Sequence, residues 1–233
     1  MAERVPTYTA SQVRAAEQPL LDAGRPLMRR AAAALAQIAA AELGSDVGRV
    51  LVLAGSGDNG GDALLAGATL AEAGNVDVDV FLTADRVHVE GLGAAVAAGA
   101  RKVDLPEVIS AAAEYDLVLD GILGIGVSSH PGLRGTARTV VEALLPFARA
   151  GKPRVIAVDL PSGLQPDDGS SDGVVLPATI TVTFGAVKSG LATGSGTELA
   201  GSIVLVDLGL GPGLAGEKPA GEASVAASAP APT

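Results

Sequence analysis

From residue 49 onward, short apolar runs rich in β-branched residues alternate with alanine-rich stretches of helical period. The runs fall at 49–54, 76–82, 115–119, 154–158, 179–184 and 202–206, and the spacing predicts helices over 60–73, 91–98, 106–114 and 136–148. Strands separated by helices in this way predict an α/β domain, a parallel sheet covered on both faces. Two further helices open the chain, at 11–23 and 26–43. In the second, Leu27, Arg30, Ala31, Ala34, Leu35 and Ile38 recur at roughly the 3.6-residue period. Gly24 and Gly44 punctuate them as helix ends do. Hardly a bulky apolar group follows Leu214. A segment of Gly, Pro, Ala, Ser and Glu buries too little surface to offset its ordering entropy. Residues 1–210 therefore read as one folded domain, and 211–233 as a disordered tail or the start of a linker to a further domain.

Composition narrows the chemistry. Apolar residues make up 48% of the 233, yet aromatics only 2%, so the core is expected to be Ala, Val, Leu and Ile in close packing. A formal charge of −10, with no cluster of Lys and Arg, excludes the electrostatic footprint of a nucleic-acid or anionic-membrane binder. The absence of cysteine excludes disulfides, thiolate metal sites and thiol nucleophiles. Glu3, Arg4, Arg14, Glu17, Asp22 and Arg25 interrupt the first thirty residues, leaving no apolar core for a signal peptide. No stretch reaches the roughly 18 apolar residues of a spanning helix. A cytoplasmic protein is expected. With His88 and His130 the sole histidines, there is no H-E-x-x-H site, and no G-x-S-x-G elbow is present.

Three strand-to-loop junctions carry the candidate chemistry. Val50 to Ala54 runs into Gly55-Ser56-Gly57-Asp58-Asn59-Gly60-Gly61-Asp62, a G-x-G-x-x-G between strand and helix. Such glycines let a ligand approach the backbone, and a helix N-terminus favours anions. Asp77 and Asp79 stand at about the ~20-residue spacing of a ribose-binding acid, but inside the next strand. Asp58 and Asp62 would repel a pyrophosphate, so they bind hydroxyls or are offset by a cation. Alternatively, Asp58 is an N-cap and Asp62 complements the helix dipole. The second junction is Asp120-Gly121-Ile122-Leu123-Gly124, continuing through Ile125 and Gly126 to His130, and the third is Asp159-Leu160-Pro161-Ser162-Gly163. Because parallel strands end on one edge, Asn59, Asp120, Asp159 and Ser162 are expected to share a crevice. Lys188 follows the fifth run in a glycine-flanked loop, where it is either a site residue or an ordinary solvated lysine.

Taken in order, these motifs, with Tyr8-Thr9-Ala10 and Thr183-Phe184-Gly185-Ala186-Val187-Lys188-Ser189-Gly190, resemble the NAD(P)H-hydrate epimerase family, the YjeF N-terminal domain. The resemblance runs from about Tyr8 to Gly209. It implies a Rossmann-like three-layer α/β/α sandwich with a mostly parallel central sheet. It also implies an isomerase that interconverts the R and S forms of NADHX and NADPHX, hydrates at C6 of the nicotinamide ring. A potassium ion would be held by Asn59, Asp120 and Ser162. Substrate-binding positions would be Asp58, Asn59, Gly60, Gly61 and Asp62, then Gly124, Ile125, Gly126, Val127, Ser128, Ser129 and His130, and Asp159. Asp58, where the family more usually has Asn, and Ala63, in place of Gly, depart from the pattern. The family further implies a homodimer and a functional partner, an S-specific NAD(P)H-hydrate dehydratase, fused in some longer chains.

Inversion at a carbon bearing a hydroxyl and a ring nitrogen proceeds through an iminium and readdition of water, or through ring opening, and either route needs an acid-base group. Asp159 is the candidate, with Lys188 tuning or positioning it. Two other readings stand beside this one. The first is a non-catalytic nucleotide- or partner-binding protein on the same scaffold. The second is an NAD-dependent dehydrogenase, supported by the G-x-G-x-x-G but lacking a well-placed hydride-transfer acid.

Overall fold

The computed structural model describes residues 3–44, 48–126 and 132–232. Strand β1 (Glu3–Tyr8) precedes two helices, α1 (Ala10–Asp22) and α2 (Leu27–Leu43). Thr9 starts α1 with a reciprocal cap: Gln12 N–H donates to its hydroxyl at 3.3 Å, and its own N–H donates to Gln12 Oε1 at 3.0 Å. Strand–helix units follow: β2 (Gly48–Ala54) and α3 (Asp58–Glu72), β3 (Val76–Leu82) and α4 (Val89–Ala97), β4 (Arg101–Lys102) and α5 (Leu105–Ser110), β5 (Leu117–Gly121) and α6 (Gly135–Arg149). The remainder is richer in strands. Here β6 (Arg154–Val158), β7 (Ile180–Phe184) and β8 (Val187–Lys188) lead through α7 (Gly196–Leu199) to β9 (Ser202–Asp207). The short α8 (Gly211–Leu214), β10 (Gly221–Val225) and β11 (Ala227–Pro230) close the chain.

Eight strands form a sheet in the order β11-β9-β7-β6-β5-β2-β3-β4, every pairing parallel. Parallel strands need covering on both faces, and the core divides accordingly. One face packs Val50, Val52, Leu117 and Leu119 under α2, α3 and α4. The other packs Leu51, Leu53 and Val118 under α5 and α6. The architecture is the expected Rossmann-like sandwich. A second, three-stranded sheet, β10-β1-β8, lies beside it. Among the described residues no helix is long and apolar enough to cross a membrane.

The segment beyond residue 210, expected to be disordered, instead forms α8, β10 and β11. Composition misleads here because these strands are held by backbone pairing. β10 runs antiparallel to β1, while β11 extends the main sheet on β9. Ala223 and Val225, although small, are buried. Three other expectations shift. The helix expected over 106–114 ends at Ser110, the strand expected at 115–119 runs 117–121, and Lys188 lies in β8, paired with β1, rather than in a loop.

Candidate functional site

In the sheet, β2 has its successor β3 on one side and β5 on the other. At such a switch point the loops leaving the two strands part, and a crevice opens beyond their C-terminal ends. A cavity of about 810 Å³ lies there, within the ~300–1,000 Å³ usual for small-molecule sites. Its walls are the turn after β2 (Gly55 to Asn59, with Asp62), the loop after β5 (Ile122 to Gly126), and Asp159 after β6. Close packing builds the turn. A Cβ on Gly60 would lie 2.2 Å from the Gly55 carbonyl oxygen, and one on Gly121 would lie 2.4 Å from Ala63 Cβ. Gly60 and Gly61 are buried in this packing and do not line the cavity, whereas Asp58, Asn59, Asp62, Gly124, Ile125, Gly126 and Asp159 do. Val127, Ser128, Ser129 and His130 lie outside the described residues.

Asp159 leaves β6 with φ of 68°, a left-handed conformation that Asp tolerates better than most side chains. Its Oδ1 accepts from the Lys188 ammonium, from Thr183 Oγ1 at 3.3 Å and from the Phe184 N–H at 3.3 Å. Lys188, 1% exposed, also donates to the Phe184 carbonyl at 2.9 Å. The ammonium is thus satisfied and sits behind Asp159, outside the cavity wall. All three donors converge on Oδ1, leaving Oδ2 with no donor among the described residues. This arrangement pairs the Asp159 carboxylate with a buried ammonium and turns its second oxygen to the cavity.

Asn59, Asp120 and Ser162 are brought together around the Leu123 peptide. Asn59 Nδ2 donates to the Leu123 carbonyl at 3.0 Å, and the Leu123 N–H donates to Ser162 Oγ at 2.9 Å. The Ser162 N–H donates to Asp120 Oδ2 at 2.9 Å. Asp120 is completely buried, and burial raises its carboxyl above the usual range even against the Ser162 hydrogen bonds. It has no cationic partner among the described residues. An amide oxygen, a hydroxyl and a buried carboxylate without a counterion are a donor set that suits a potassium ion.

Asp62 differs from both. It is 9% exposed and lines the cavity, yet its Oδ1 is sealed from solvent and has no hydrogen-bond partner. Desolvation first, then the nearby Asp159, Asp58 and Glu17 carboxylates, push it well above the ordinary carboxylate range against the opposing pull of Lys188. Asp58 is not the N-cap: Gly57 holds that position, and Asp58 is exposed in the first helical turn.

Three charged residues escaped the sequence reading. Arg134, at the start of α6, lines the cavity. Arg14 and Glu17 on α1 line it too, and Arg14 Nη1 donates to the Ile125 carbonyl at 2.6 Å. Burial raises the Glu17 carboxyl. The i,i+3 spacing of Arg14 and Glu17, which places them on one helix face, was the sole local signal. The ribose-acid candidates find no ligand here: Asp77 is exposed, and Asp79 is occupied by Arg49, Arg101 and Tyr115. His88 caps α4, its Nδ1 accepting from the Gly91 N–H at 3.0 Å.

Comparison with known proteins identifies relatives of this chain. A protein of Microbacterium testaceum named NAD(P)H-hydrate epimerase is 60% identical over 96% of this chain and 86% of its own length. Its namesake in Clavibacter michiganensis is 54% identical over 87% of this chain and 90% of its own length. A protein of Mycobacterium tuberculosis named bifunctional NAD(P)H-hydrate repair enzyme Nnr is 40% identical over 87% of this chain, which spans 41% of that longer protein. The crystal structure of yeast ynu0 (YNL200c) superposes with a TM-score of 0.70 at 18% identity, covering 81% of this chain and 84% of that one, a likeness of fold. Residues 24–190 match the family described as YjeF-related protein N-terminus, and it is to this family that the chain belongs.

Proposed function

We propose that this chain is an NAD(P)H-hydrate epimerase, an isomerase interconverting the R and S hydrates of NADH and NADPH so that an S-specific dehydratase can restore the cofactor. The observation that carries the reading is Asp159, a carboxylate paired with buried Lys188, its second oxygen without a donor among the described residues, at the wall of a nucleotide-sized cavity. Relatives at 60% and 54% identity that bear this name support it.

Loss of the C6 hydroxyl leaves an iminium that water attacks from the other face. Asp159 serves as the acid-base group for that exchange, and Lys188 positions it. The start of α3 faces the cavity, where exposed Asp58 can accept from a substrate hydroxyl. Asn59, Asp120 and Ser162 would hold potassium, which when bound supplies the positive charge that buried Asp120 lacks. The bifunctional relative suggests that the dehydratase partner is fused to this domain in some proteins.

The test uses an NADHX mixture already depleted of its S form by an S-specific dehydratase in potassium buffer. Adding the protein should produce a second rise in NADH absorbance, faster than the spontaneous rate. Asp159→Asn should lower that rate by about 10²–10⁴-fold while remaining folded. Full activity in that variant would overturn the assignment of Asp159.

A further inference from the structure

Epimerisation of a hydrate by the iminium route removes an oxygen from one face of a carbon and delivers one to the other, so a single carboxylate base accounts for half of the proton traffic. Asp159, in a buried ion pair with Lys188, supplies that carboxylate. A second group, carrying a proton, is needed to assist departure of the hydroxyl, because hydroxide is a poor leaving group.

Asp62 has the required character. It lines the same cavity as Asp159 but comes from α3, just beyond the glycine turn that follows β2. A carboxylate with one oxygen sealed from solvent and lacking any donor is costly to keep ionised, whereas a neutral carboxyl is tolerated. The charged groups around it are Asp58 on α3, Glu17 on α1, Asp159 and Lys188. Two cations also line the cavity: Arg14 of α1 donates to the Ile125 carbonyl, and neither it nor Arg134 forms an ion pair with Asp62 among the described residues. The sealed, donorless oxygen and the three carboxylates favour the neutral form of Asp62 against the pull of Lys188. Two carboxyl groups of one cavity in unlike surroundings, one paired with an ammonium and one without a donor, are the pattern of an acid and a base in one site.

Building on the epimerase reading, we propose that Asp62 is a second proton-transfer residue, the acid for the departing C6 hydroxyl while Asp159 is the base for the incoming water. The C6–O bond breaks with its electron pair going to oxygen, which takes the Asp62 proton and leaves as water. The ring-nitrogen lone pair forms the C6=N bond of the iminium. Water then bonds to the opposite face, the iminium π pair returns to nitrogen, and Asp159 takes the released proton. That proton passes back to Asp62 through cavity water, so none is consumed. The reverse reaction exchanges the two roles.

The test is Asp62→Asn in the coupled assay across pH, beside wild type. The amide keeps the shape and a hydrogen-bond donor but has no proton to give. The expected result is a fall in kcat of about 10²-fold or more with little change in KM, and loss of the alkaline limb of the pH–rate profile with the acid limb kept. A kcat within about threefold of wild type, or a fall that leaves the alkaline limb in place, would overturn the proposal. Carboxyl ¹³C titration of the wild-type protein does not depend on the variant folding: Asp62 should be protonated at pH 7, and an ionised Asp62 there also overturns it. Failure of wild type itself to accelerate NADH recovery would instead sink the epimerase reading, a result distinct from any produced by the variant.

Discussion

Asp79 in β3 and Asp62 in α3 are both buried aspartates, and they are treated in opposite ways. Asp79, midway along its strand, accepts from Arg49 at 2.9 Å, from Arg101 at 3.0 Å and from the Tyr115 hydroxyl at 2.9 Å. Arg49 also lies over the Tyr115 ring, 4.9 Å from its centroid. Asp62 has an oxygen with no partner and three carboxylates for neighbours. A saturated buried charge is scaffold, because every lone pair that lost water has been given a donor. An unsaturated one persists only where something else is served, and here it lines a cavity. Arginines therefore saturate the Asp79 carboxylate, whereas the two that line the cavity, Arg14 and Arg134, form no ion pair with Asp62 among the described residues.

Lys188 marks the boundary between these cases, and removing it should have the largest effect. Lys188→Met leaves Asp159 buried without its counterion and should cost about 3–5 kcal/mol of stability by denaturant melts. Epimerase activity should fall with it, since Asp159 loses the ammonium that positions it. At the scaffold site, Asp79→Asn should cost about 2–3 kcal/mol, somewhat less because Arg49 and Arg101 are partly solvated. In that variant kcat should stay at the wild-type value at temperatures below the melt. A large loss of kcat in folded protein would erase the distinction between the two sites.

The smallest expected effect is on the pH dependence of stability. The folded-state values of Asp62 and Glu17 are raised, so between the unfolded value near ~4 and the folded value the folded chain binds more protons. Their contribution is fully present below that unfolded value and is lost as pH rises through the folded one. Asp62→Asn should flatten this decline in melts taken from acid to neutral pH. An unchanged slope would mean that Asp62 titrates as an ordinary surface acid.

Much of this architecture was legible in the chain. The strand runs at 76–82 and 154–158 coincide with β3 and β6, and the acid-bearing loops after β2, β5 and β6 do meet at one edge. Periodicity and glycine placement are local, and in a parallel sheet local order translates directly into which loops share an edge. Asn59, Asp120, Asp159 and Ser162 could be placed on that basis.

Other features needed the folded chain. The pairing of β10 with β1 joins residues more than two hundred positions apart through backbone hydrogen bonds, which side-chain composition does not report. The seat of Lys188 behind Asp159 depends on β8 pairing with β1, the first strand of the chain. Arg14 and Glu17 reach the cavity because α1 packs across its mouth, and nothing in a charged helix face announces what it will meet. The contrast between Asp79 and Asp62 is one of solvation and partners, properties of neighbourhood rather than of residue type. A sequence records that a carboxylate is present; only packing decides whether donors surround it, and so whether it stabilises the fold or holds a proton for chemistry.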